Sequence, residues 1–136
     1  MSALVLGSLL GLMVSGWAYL SSATKCRMRR YWQRACMGRV WQEAFPTARS
    51  DDIRKFLLLF VNSFGFSQKR ALRFAPADRL LDVYCALYPL KNMPKRALEF
   101  DTFAKLLKAT YGLDLARIWR QDITLGGVFA QTTAAV

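Results

Sequence analysis

The chain has 136 residues, room for one small domain and an extra segment but not for two large domains. Its 20 Lys and Arg against 9 Asp and Glu give a net charge of +11, which predicts attraction to anionic lipid headgroups, nucleic acid or an acidic protein face. Histidine is absent, removing the usual general base and the commonest metal ligand, and Cys26, Cys36 and Cys85 have neither zinc-site nor C-x-x-C spacing. An enzyme, a metal site and a disulfide framework are therefore disfavoured, and a reducing compartment is expected.

Residues 1–24 are predicted to form a transmembrane helix. The uncharged run from Ser2 to Thr24 would extend roughly 35 Å as a helix, against a hydrocarbon core of about 30 Å. A cleavable signal normally carries its basic residues first, whereas Lys25, Arg27, Arg29, Arg30 and Arg34 all follow the apolar run. The positive-inside rule then places the N-terminus outside and the rest of the chain in the cytoplasm, as a single-pass protein of a bacterial inner membrane. Ala3, Gly7, Gly11 and Ser15 recur every four residues, a small-residue face suited to close approach of a second helix.

Residues 25–49 are predicted as a basic juxtamembrane amphipathic helix and linker. Met28, Trp32, Cys36 and Val40 fall four apart, and Tyr31, Trp32 and Trp41 suit the headgroup zone. Lys25, Arg27, Arg29, Arg30 and Arg34 are the candidate contacts to anionic lipid, at roughly 1 kcal/mol each. Arg interleaved with aromatics also occurs in nucleic-acid binders, but beside an apolar span lipid is the preferred partner.

After Pro46, Ser50-Asp51-Asp52 offers an N-cap and acidic first turn, Ile53, Phe56, Leu57, Phe60, Val61 and Phe64 keep a 3.6 period, and Gly65 is placed to stop the helix. Pro76 is expected to open the next helix, with Leu80, Leu81, Tyr84 and Leu87 inward until Pro89. Asp78 and Asp82, one turn apart, are explained by capping and pairing with Arg79 rather than by catalysis. Pro94 opens a further helix with Leu98, Phe103, Leu106, Leu107 and Tyr111 inward before Gly112, and a last helix begins near Thr124, weakened by Gly126 and Gly127. With no alternating strand pattern the fold class is all-α: a helical bundle over 50–131 and a disordered tail over 132–136.

The stretch "RALEFDTFAKLLKATYGLDL" followed by "DITLGGVF" resembles the second half of an acyl carrier protein. In that family a D-S-L motif opens helix two, its serine carries phosphopantetheine, an F-G-I-type turn ends the helix, and I-T or V-T starts the last one. Counting from the serine's place, Tyr111-Gly112-Leu113 and Ile123-Thr124 fall in the family's register, and Ser50–Gly65 corresponds to its first helix. The similarity covers roughly 50–131, with "CALYPLKNMPK" as an insertion. The motif itself reads Arg96-Ala97-Leu98, so Ala97 replaces the modified serine and no cofactor is expected; Thr102 is out of register. Family members are acidic along helix two, whereas here Lys95, Arg96, Lys105 and Lys108 surround it, implying an acidic or anionic partner.

The expected role is a non-catalytic, membrane-anchored accessory or assembly subunit of a larger membrane protein complex, binding other subunits through the membrane helix and the basic face of Lys95, Arg96, Lys105 and Lys108. The alternative is a membrane-tethered basic module for anionic lipid or nucleic acid; with no recognised nucleic-acid motif, nucleic acid is the less expected partner.

Overall fold

A computed structural model of the chain describes residues 27–88 and 98–134. Helical residues 27–32 form α1, followed by α2 (Gly38–Ala44), α3 (Ser50–Ser63), a 3₁₀ helix (Gln68–Arg73), α4 (Leu80–Leu87), α5 (Leu98–Tyr111), α6 (Leu115–Ile118) and α7 (Leu125–Ala134). The described residues are thus mainly helical, and their β pairing is a single isolated bridge between Arg79 and Thr124. No described helix is long and apolar enough to cross a membrane. The span assigned to residues 1–24, with Ala3, Gly7, Gly11 and Ser15, lies outside the described residues, as do Lys25, Lys95, Arg96 and Ala97.

The centre of the bundle is α3, which packs on α2, the 3₁₀ helix and α5. Ile53, Phe56, Leu57, Phe60, Val61 and Phe64 are all buried, as their period predicts. Each fully buried apolar side chain contributes about 1.5–3 kcal/mol, so this face is a major part of the core. Phe60 sits between Phe64, Phe74 and Phe103 at centroid distances of 4.6, 5.0 and 5.6 Å. The helix stops at Gly65, whose φ of +75° admits glycine far more easily than other residues. There Gly65 N–H donates to Asn62 O and Phe66 N–H to Val61 O, the two bonds of a Schellman stop. Gly112 ends α5 with φ +67° and one bond from its N–H to Lys108 O.

The described residues 27–45 are not one amphipathic rod. The helix breaks over 33–37 and resumes at Gly38, and its aromatic residues turn into the protein. Tyr31 is 1% exposed and Trp41 0%, Trp32 packs edge-on against Phe66 and Phe74, and Trp41 Nε1–H donates to Phe74 O at 2.8 Å. Burial with its N–H satisfied makes Trp41 a core residue. The stripe of Met28, Trp32, Cys36 and Val40 does not survive the break: Met28 is buried, while Cys36 and Val40 are exposed.

Two further boundaries and one buried face differ from the sequence reading. The helix expected from Pro76 starts at Leu80, because residues 75–78 form a turn in which Asp78 N–H donates to Ala75 O. On α5, Phe103 and Leu107 are buried, but Leu98 and Leu106 are exposed. The C-terminal helix runs to Ala134 rather than dissolving after Thr132: Thr132 is 2% exposed and its hydroxyl donates to Phe129 O, so packing holds this turn.

The start of α7 explains its glycines. Its first free N–H groups are satisfied from outside the helix, Leu125 by Asp78 O and Gly126 by Pro76 O, each at 2.9 Å, while Gly127 N–H donates to Thr124 Oγ1 at 3.0 Å. A Cβ on Gly126 would lie 3.0 Å from both Cβ and O of Pro76. Gly126→Ala is therefore expected to lower stability by about 1–3 kcal/mol in denaturant titrations. Gly127→Ala, whose Cβ meets only Thr124 Oγ1 at 3.3 Å and Ile123 Cγ1 at 3.8 Å, recovers up to about 1 kcal/mol of helix propensity and should change stability little.

Candidate interaction surface

The basic residues between Arg27 and Arg34 have unequal fates. Arg34 turns inward: Nη1 and Nη2 donate to Asp78 Oδ2 and Oδ1 at 2.6 and 2.8 Å. Asp78 is 9% exposed, and its Oδ2 also accepts from Ala75 N–H at 2.7 Å. Arg73 donates to Arg34 O, and Arg34 Nη1 to Arg73 O at 3.3 Å, so the two arginines are cross-tied. The Asp78 hydrogen bond pushes the Arg34 pKa up, outweighing desolvation, so the guanidinium stays charged. Arg34 is thus structural here rather than displayed for lipid, and Asp78 pairs with Arg34, not with Arg79.

Arg27 Nε donates to Ala86 O at 2.6 Å, fixing α1 to the end of α4. Arg30 lies 4.7 Å from the Tyr31 ring centroid and donates to the Tyr31 hydroxyl, while Arg29 is exposed. Arg27 and Arg30 share a shallow depression with Asp82, Cys85 and Ala86. Arg70 stacks on Trp32 at 4.3 Å, so cations cover the aromatic seam between α1 and the 3₁₀ helix.

On α5, Lys105 and Lys108 are exposed, and the four ion pairs of the described residues use neither. At the other end of this helix Glu99 and Asp101 occupy the first turn, so the described part of α5 is acidic first and basic last, as the helix dipole favours. Thr102 is exposed and its hydroxyl donates to Leu98 O at 2.8 Å. Beside this turn lies an aromatic cluster of which periodicity singled out Phe64 and Tyr84 but not Phe100, Tyr88 or Trp119: Phe100 contacts Tyr84 at 4.8 Å, Trp119 at 5.2 Å and Phe64 at 5.5 Å. Tyr88 joins it through Tyr84 at 5.1 Å and donates its hydroxyl to Glu99. Its composition is visible in the sequence, but its assembly needs α4, α5 and the segment after α6 to converge.

Two outcomes test this geometry. Asp78→Ala strands the Arg34 guanidinium and the Ala75 N–H, and should cost about 2–4 kcal/mol by denaturant titration, whereas the exposed Asp82→Ala should stay within about 0.5 kcal/mol. The Glu99 hydrogen bond, aided by burial, raises the Tyr88 pKa from 10.0 to about 12. A raised folded pKa stabilises fully below pH 10.0, and that stabilisation is lost as pH rises to about 12. Titrated by tyrosinate absorbance, Glu99→Gln should bring one late-titrating tyrosine back toward its ordinary range.

Compared with known proteins, the chain matches no family model, no curated protein and no solved structure.

Proposed function

We propose that the chain is a non-catalytic, carrier-like helical module, anchored in a membrane by residues 1–24, that acts as an accessory or assembly subunit of a larger membrane protein complex. The observation that carries this reading is the helix register. The first long helix ends at Gly65 and the next at Gly112, both left-handed, and the last helix begins directly after Ile123-Thr124. Counted back in the same register, the position of a carrier's modified serine holds Ala97, which has no hydroxyl to modify. On this reading the 3₁₀ helix and α4 are additions between the carrier-like first and second helices, and a carrier-like bundle without its attachment point would keep surfaces for partners without the chemistry. The uncharged run before Lys25 and the basic residues after it support anchoring with the bundle on the cytoplasmic side. The exposed Arg29, Lys105 and Lys108 support an acidic or anionic partner.

Coexpression of the full chain with a phosphopantetheinyl transferase tests the lost chemistry, and an alkaline carbonate wash of the membranes tests the anchor. The expected result is an unmodified intact mass and retention in the membrane pellet. A mass increase equal to one phosphopantetheine arm, or release of the chain into the wash, would contradict the proposal.

A further inference from the structure

The packing of α3 against the 3₁₀ helix leaves a groove of about 410 Å³ whose lining includes Arg54, Leu58, Lys69, Ala71 and Leu72. Through Arg54 and Leu72 it continues into a second depression of about 190 Å³, reaching Gly38, Gln42 and Ile53. The floor is apolar: Ile53 and Ala71 are buried, and Leu58 and Leu72 are half-buried. The rim is cationic, because Arg54 and Lys69 are exposed and no Asp or Glu lines either part. Neither cation enters any of the four ion pairs of the described residues.

We infer that this groove docks an acidic amphipathic helix of a partner protein, its leucine-type side chains on the floor and its carboxylates against Arg54 and Lys69. Charge complementarity selects the occupant: an apolar strip flanked by unpaired cations is matched by an apolar stripe flanked by acids. A small ligand fits less well, since such sites enclose most of their ligand and this groove is shallow and open along its length. Gly38 keeps the inner end clear. A Cβ there would meet Cys36 Sγ at 3.6 Å and Leu72 Cδ2 at 3.9 Å, ordinary contacts, so the fold itself tolerates a Cβ at this position. The inference goes beyond the accessory-subunit reading and requires neither the anchor nor the carrier likeness.

The test uses the full chain in a neutral non-ionic detergent, which serves whether or not residues 1–24 insert in a membrane, and a fluorescent synthetic helix with Leu at i, i+3, i+4 and i+7 and Glu at the flanking positions. Binding is read by anisotropy, beside a control peptide with Lys for each Glu. The acidic peptide should bind saturably. The double variant R54E/K69E, matched to the parent in thermal melting, should weaken it by about tenfold or more and accept the Lys peptide instead. G38L, which fills the inner depression, should also weaken it. Equal binding of the acidic and basic peptides, or an acidic peptide indifferent to R54E/K69E, would overturn the inference. So would binding of phosphatidylglycerol vesicles that is lost in R54E/K69E while no peptide binds, an outcome assigning the groove to lipid. Because the readout involves neither pantetheine nor membrane extraction, its failure is distinguishable from failure of the proposed function.

Discussion

One buried carboxylate in a strongly basic chain organises this protein. Asp78 takes two hydrogen bonds from Arg34 and one from the Ala75 N–H, while its backbone carbonyl receives the Leu125 N–H from the start of α7. The short segment from Phe74 to Leu80 is held at both ends as well: Phe74 O accepts from the Trp41 indole, and Leu80 N–H donates to Ile123 O. Elements from the beginning, middle and end of the described chain therefore meet on a few backbone groups. Burying a charge is costly unless it is paired and hydrogen-bonded, and here both conditions hold, so the pairing specifies one arrangement of these segments.

This arrangement alters what the positive charge is for. In an isolated juxtamembrane helix every arginine would serve the lipid surface. Here Arg34 and Arg73 are engaged with backbone and Asp78, Arg27 with α4, and Arg30 and Arg70 lie over Tyr31 and Trp32. Much of the basic segment thus joins the bundle to its own first helix. Exposed cations remain in other places, at Arg29, on the outer face of α5, and at the rim of the groove beside α3. That distribution is the basis for the proposed docking of an acidic helix rather than a uniform attraction to any polyanion.

The all-α class and the inward face of α3 were legible because one period, two acidic first-turn residues and a terminal glycine agree with one another. The same consistency makes Gly112 readable as a stop. What was not legible depended on contacts far apart in sequence. Tyr31 and Trp41 carry the same signal whether their hydrophobic partner is lipid or Phe74 and Phe129, and only tertiary packing chooses between these. Pro76 has the appearance of a helix start, but its carbonyl receives Gly126 N–H and its ring faces the glycine, so the chain stays in a turn. Gly126 and Gly127 looked like weaknesses of the last helix, whereas the first is the condition for its close approach to Pro76. The groove beside α3 was invisible for the same reason, since Arg54 and Lys69 become neighbours only when the 3₁₀ helix folds back.

As proposed, this chain works as one subunit of a membrane assembly. Native mass spectrometry of the full chain, extracted from its host membranes in a mild detergent, measures that directly. The expected result is a hetero-complex of fixed stoichiometry containing the intact chain; a lone chain, shortened at its front end and free of any membrane partner, would contradict the proposed role.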